Sequence, residues 1–170
     1  MIQHYYLCTF HIHTEGNTKP DPHVRRLYIR AGNAYDAYQK AQALCKSGYF
    51  SSVTPGAKAV CRHKDVQPAY AEDARKDIEA HRMTLIEEYG IEATHPGSEP
   101  EILSTFLGDE HHALVKLRSQ AFDLANSGKC GAYPDDIESF NEQVEAEFSE
   151  GGLSWESENG TILKIITLRP

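Results

Sequence analysis

Across residues 5–13 the side chains alternate. Tyr6, Cys8, Phe10 and Ile12 fall on one face, and Tyr5, Leu7, Thr9, His11 and His13 on the other. A period of two is that of a β-strand. A second alternating run over residues 24–31 sets Leu27 and Ile29 against Arg26, Tyr28 and Arg30. Residues 15–22, EGNTKPDP, are rich in turn formers, so the two runs are expected to pair as a hairpin with a long loop. The period then changes. Ala34, Ala37, Tyr38, Ala41, Leu44 and Cys45 recur at three-four spacing, which predicts a helix over 34–47 with Asn33 as its N-cap and Gly48 as its stop. Pro55-Gly56 opens a shorter third strand over 57–63.

Further along, Ala71, Ala74, Ile78, Leu85, Ile86 and Tyr89 form a stripe that predicts a long helix over 68–89, ended by Gly90. THPGS at 94–98 reads as a linker and is the one candidate subdomain boundary. A short helix is expected over 100–107. Asp109 then caps a helix to residue 126 that turns Leu114, Leu117, Ala121, Leu124 and Ala125 inward. Pro134 suits a first helical position, and the helix it opens runs to residue 148 with Ile137, Phe140, Val144 and Phe148 on one face. Residues 153–157 and 161–168 form a final hairpin about Asn159-Gly160. The sum is one α+β domain. Its sheet is antiparallel or mixed and is built from the N-terminal and C-terminal hairpins plus one further strand. Four to five helices pack mainly on one side of it.

Composition adds bounds. The chain has 170 residues, 40% hydrophobic and 25% charged, which suits a folded globular protein. Its first residues lack the basic and apolar segments of a secretory signal, and no apolar run approaches the ~20 residues of a membrane helix. A cytoplasmic protein without membrane contact is therefore expected. Cys8, Cys45, Cys61 and Cys130 form no C-x-x-C pair and read as reduced thiols buried as small hydrophobes. No cofactor is expected: the chain contains neither a Walker loop nor G-x-G-x-x-G nor G-x-S-x-G.

Four constellations could carry chemistry. His11 and His13, two apart on a strand, share a face on which both imidazoles could reach one metal ion. The run HIHTEG at 11–16 resembles the opening motif of the amidohydrolase and polymerase-and-histidinol-phosphatase barrels, over these six residues. The resemblance implies a small metal-dependent hydrolase using His11 and His13; the plainer reading is a solvated strand face. Asp109-Glu110-His111-His112 lacks the three-four spacing of a helix-borne metal pair and reads as an acidic helix start. Arg26, Tyr28 and Arg30 share one sheet face and could hold phosphates and stack a base.

The fourth constellation is charge itself. Residues 130–163 hold nine Asp or Glu and no Lys or Arg, whereas residues 1–64 hold nine Lys or Arg and three acids. Asp136, Glu138, Glu142 and Glu145 lie off the apolar stripe of their predicted helix. They are the candidate contacts to a basic partner surface, or to the basic N-terminal sheet of a second copy. Small acidic proteins that block nucleic-acid-handling complexes, phage-borne inhibitors of host defence among them, share this electrostatic habit. The leading expectation is a non-catalytic interaction protein. A nucleic-acid-binding module comes second and the hydrolase third.

Overall fold

The computed structural model describes residues 4–14, 23–126, 154–157 and 159–168. The predicted helix over 134–148, with Asp136, Glu138, Glu142 and Glu145, lies outside the described residues. Eight strands and four α-helices are present among the described residues, and the fold is α+β. They fall into two compact units. Unit 1 comprises Met1–Glu87 with Leu107–Asp109, and unit 2 comprises Glu88–Phe106 with Glu110–Arg169.

In unit 1, β1 (His4–Thr14) and β2 (His23–Ala31) pair antiparallel, with Tyr6 opposite Ile29, Cys8 opposite Leu27 and Phe10 opposite Arg25. The other edge of β1 is shared by two short strands. β3 (Ala57–Val60) pairs with its C-terminal end, and β4 (Val66–Ala69) with its N-terminal end. A single 3-10 turn, His63–Asp65, separates β3 from β4, so the third strand expected over 57–63 ends at Val60 and a further short strand follows the turn. β2 also pairs in parallel with the first residues of β5 (Leu85–Thr94), Tyr28 against Leu85 and Ile29 against Ile86.

Both faces of this sheet are covered, each by its own helix. α1 (Ala34–Lys46) begins where predicted, because the Asn33 side chain accepts the Asp36 N–H at 2.9 Å and satisfies a donor the helix itself leaves open. Ala37, Ala41 and Leu44 pack onto Cys8, Phe10, Leu27 and Ile29. The five-residue α2 (Tyr49–Val53), which the sequence pattern did not announce, adds Tyr49 and Phe50 to the same core. On the opposite face α3 (Ala71–Glu79) sets Ala74 and Ile78 against Tyr5, Leu7 and Tyr28.

The helix expected over 68–89 is therefore three elements, and the pattern misled for a physical reason. The three-four stripe is real only through Ile78. His81 takes a left-handed backbone, φ 54°, which ends the helix. Beyond it, Ile86, Tyr89, Ile91 and Ala93 are buried along β5. Gly90 is not a helix stop but a mid-strand residue. A Cβ there would meet the Ile166 side chain at 3.3 Å, so the small residue lets the neighbouring strand approach.

Unit 2 is built on the rest of β5. β6 (Glu101–Gly108) pairs with it through a turn at residues 95–98, where the Ser98 N–H donates to the His95 carbonyl at 3.0 Å. The expected linker at 94–98 is this hairpin turn, and the expected short helix at 100–107 is a strand. β8 (Ile162–Thr167) pairs antiparallel with β5, and β7 (Ser154–Glu156) pairs with β8, as predicted for the last hairpin. Gly160 supplies the positive φ that this turn requires. α4 (Glu110–Asn126) lays Ala113, Leu117 and Ala121 on Ile91, Trp155, Leu163 and Ile165.

Leu163 is fully buried in this cluster, whereas Ile162 is exposed. Leu163→Ala is expected to cost about 2–5 kcal/mol in urea unfolding, and Ile162→Ala less than about 1. Equal costs would mean that the wrong face of β8 has been assigned to the core.

Candidate functional site

The register of β1 decides what its histidines can do. His11 lies between Val24 of β2 and Val60 of β3, directly opposite both. His13 lies opposite Lys58, and Thr9 opposite Arg26. All these side chains project from the face that carries α3, but beyond the end of that helix. Val24 is 44% exposed and Val60 46%, and Arg26, His13 and Lys58 are exposed. The His11 Nε2 is 3.6 Å from Asp65 Oδ1. Asp65 is fixed in turn, because its Oδ2 accepts the Arg62 N–H at 2.9 Å across the 3-10 turn.

His11 and His13 thus share a face as predicted; valines flank His11 along the sheet, and Asp65 is the acid beside it. Among the described residues no group of three or more His, Cys, Asp or Glu side chains is placed to hold a metal ion. His111 and His112 lie in unit 2, on the first turn of α4, where His112 packs edge-on against the Phe106 ring.

The trio Arg26, Tyr28 and Arg30 does share one face, yet only Arg26 is open to solvent. Tyr28 is 6% exposed beneath α3, and its hydroxyl donates to Asp77 Oδ2 at 2.9 Å. Arg30 Nη1 is 3.0 Å from Glu87 Oε1, and its guanidinium lies over the Tyr5 ring, 5.0 Å from the centroid. A base has no free ring to stack on at Tyr28, and Arg30 is already engaged by a carboxylate and an aromatic face. Of the expected stacking surface, the exposed group is Arg26, next to Val24 and opposite Thr9. Asp77 and Glu87 were missed as partners because the sequence reading placed both on one long helix.

On the opposite face of the same sheet, where α1 and α2 pack, an open cleft of about 430 Å³ lies at the far end of the hairpin. Ile12, Thr14, His23, Arg25, Phe50, Val53 and Thr54 line it. Arg25 Nη2 donates to the Tyr49 hydroxyl at 3.3 Å, and that hydroxyl donates to Asp109 Oδ2 at 2.6 Å. Burial, and then the bond to Asp109, push the Tyr49 phenol well above its usual range, so it stays protonated and keeps donating to Asp109. Nothing in the sequence pattern marked Arg25; its role follows from the turn of chain that brings α2 over the end of β2.

The three thiols among the described residues offer no nucleophile. Burial pushes the Cys8 thiol far up, with Cys61 and Cys45 nearby adding to it, and burial pushes Cys61 up to about 12. Cys45, half-buried, is also raised by burial. Nucleophilic attack needs the thiolate, which these sites disfavour.

No known protein family, curated protein or solved structure matches the chain. No helix among the described residues is long and apolar enough to cross a membrane.

Two outcomes follow for the thiols. In a Cys130→Ser variant at pH 8, a thiol-reactive dye should label Cys45 first, and Cys8 and Cys61 only as the protein unfolds. Stability should also fall as pH rises. A thiol ionises near 9.0 when unfolded but, at Cys61, only near 12 when folded, so the unfolded state gains over that window. Each such thiol costs about 1.4 kcal/mol per pH unit there. Rapid native labelling of Cys8, or stability unchanged from pH 9 to pH 11, would contradict the assigned burial.

Proposed function

We propose that the protein is a non-catalytic interaction protein that works by charge, its acid-rich 130–163 stretch docking on a basic surface. The observation that carries this reading is the polarity of the chain: nine acids without a Lys or Arg over 130–163, against a net +6 over residues 1–64. Like charges at that density repel one another and cost stability. Interleaved lysines would give solubility without that cost, so the absence of any basic residue favours a use for the negative field.

The geometry of unit 1 supports one partner in particular, a second copy of the chain. The end of the sheet beyond α3 presents Val24 and Val60 on either side of His11, with Arg26 next to Val24, a mixed strip with a basic edge. The acidic face that the sequence predicts over 134–148 complements the basic edge of that surface. The contact is head-to-tail, since the two surfaces differ, and head-to-tail contacts propagate into rings or chains. Electrostatic steering acts mainly on the rate of encounter, so association should be fast at low salt and slow steeply as salt rises.

The test is a charge swap read by sedimentation velocity at low and high salt. Glu138→Lys, Glu142→Lys and Glu145→Lys together should abolish self-association, as should Val24→Glu with Arg26→Glu. Mixing the two variants should restore association, because each then supplies the charge the other lacks. The same acidic-stretch variant serves as bait beside the parent in a host lysate, with retained proteins identified by mass spectrometry. If it retains the same proteins as the parent and self-association is unchanged, the acidic stretch is a solvated surface and the reading fails.

A further inference from the structure

The cleft beside Arg25 is independent of the charged surfaces just described, because it lies on the other face of the unit 1 sheet. Its floor and one wall are apolar: Ile12 from β1, and Phe50 and Val53 from α2. Its polar groups are few, with the hydroxyls of Thr14 and Thr54, the His23 ring and a single permanent cation, Arg25. A volume of about 430 Å³ falls in the range of small-molecule sites, roughly 300–1,000 Å³.

The state of Arg25 says what chemistry suits the cleft. A half-buried guanidinium ordinarily meets a carboxylate directly. Here no acid among the described residues makes an ion pair with Arg25. The side chain is instead held by the Tyr49 hydroxyl and by the Tyr49 ring, 5.5 Å from its centroid, and the acid, Asp109, is reached only through that hydroxyl. A guanidinium has five N–H donors in a rigid fork. One contact to Tyr49 fixes its position and leaves most of the fork for an anion, and Arg recognises carboxylates through paired donors of this kind.

From this juxtaposition of an oriented, acid-free guanidinium with an apolar floor, we infer that the cleft is a binding site for a small amphipathic carboxylate. The carboxylate sits on Arg25. The hydrocarbon lies on Ile12, Phe50 and Val53, and the threonine hydroxyls and His23 are left at the rim. The Tyr49–Asp109 bond does not contact the ligand; it holds the arginine in place.

Hexanoate and its neutral isostere hexanamide are the probes, titrated into the full chain while the methyl resonances of Ile12 and Val53 are followed by NMR. Hexanoate should give saturable shifts at both methyls, and hexanamide should bind about tenfold more weakly or worse, for want of the charge-assisted bonds. Arg25→Met should reduce hexanoate to the level of hexanamide. Val53→Trp, at a position 62% exposed where the fold tolerates change, should fill the cleft and block both probes without altering the melting curve. Equal binding of acid and amide by the parent would overturn the assignment even if Arg25→Met failed to fold. So would the absence of any saturable shift, or hexanoate binding that survives Val53→Trp.

Discussion

β1 is the constraint on which unit 1 depends, because all four of its sides are in use. Its backbone is hydrogen-bonded to β2 along one edge and to β3 and β4 along the other. Its side chains enter two separate cores, with Tyr6, Cys8 and Phe10 under α1, and Tyr5 and Leu7 under α3. A strand buried on both faces cannot shift by one residue without exchanging its two sets of side chains. Its register therefore sets where every neighbour lies, including the valines beside His11 and the arginine above the cleft. Phe10 and Cys8 are fully buried, so truncation at either position leaves a cavity that a strand pinned on both edges has little freedom to close.

How much of this the sequence disclosed depended on whether a local signal competed with a stronger one. The β1–β2 hairpin, α1 with its Asn33 cap and the last hairpin about Asn159-Gly160 were legible, because periodicity and turn chemistry agreed within each. Residues 68–94 were not. Charged residues of high helix propensity, from Glu72 to Glu88, continue across the break at His81, and Leu85, Ile86 and Tyr89 fit three-four spacing by coincidence. Tertiary pairing decided the matter, since Leu85 and Ile86 pair with β2 in unit 1 and residues 89–94 pair with β8 in unit 2. β6 was lost for a related reason. Glu101-Ile102-Leu103-Ser104 shows no clean alternation, and Ile102 and Leu103 are both exposed.

The candidate sites were legible as faces but not as environments. Alternation alone placed His11 with His13, and Arg26 with Tyr28 and Arg30, and both groupings hold. What alternation cannot supply is the opposing layer. Asp77 and Glu87, far along the chain, engage Tyr28 and Arg30, and the turn acid Asp65 reaches His11. The basic, aromatic look of β2 is thus mostly internal wiring of the fold. Arg25, on the same side of β2 as Leu27 and Ile29, is a half-buried cation that makes no ion pair with an acid among the described residues.

Both exposed features of unit 1 have one geometric origin. β1 has eleven residues and, at about 3.3 Å per residue, spans roughly 36 Å. α3 has nine residues and, at about 1.5 Å per residue, spans roughly 14 Å. Packed on Tyr5 and Leu7, such a helix cannot reach His11, and the sheet beyond it stays open around Val24 and Val60. α1 is longer, thirteen residues or roughly 20 Å, and α2 extends the cover as far as Phe10 through Phe50. At Ile12 and Thr14 that cover is only partial, and the cleft is the space left over. A hairpin longer than the helices that cover it projects the same end on both faces, a mixed strip of Val24, His11 and Val60 with a basic edge on one and an arginine-bearing cleft on the other. Trimming that end would remove both surfaces while leaving Cys8, Leu27 and Ile29 covered, so core stability alone does not account for the length of the hairpin.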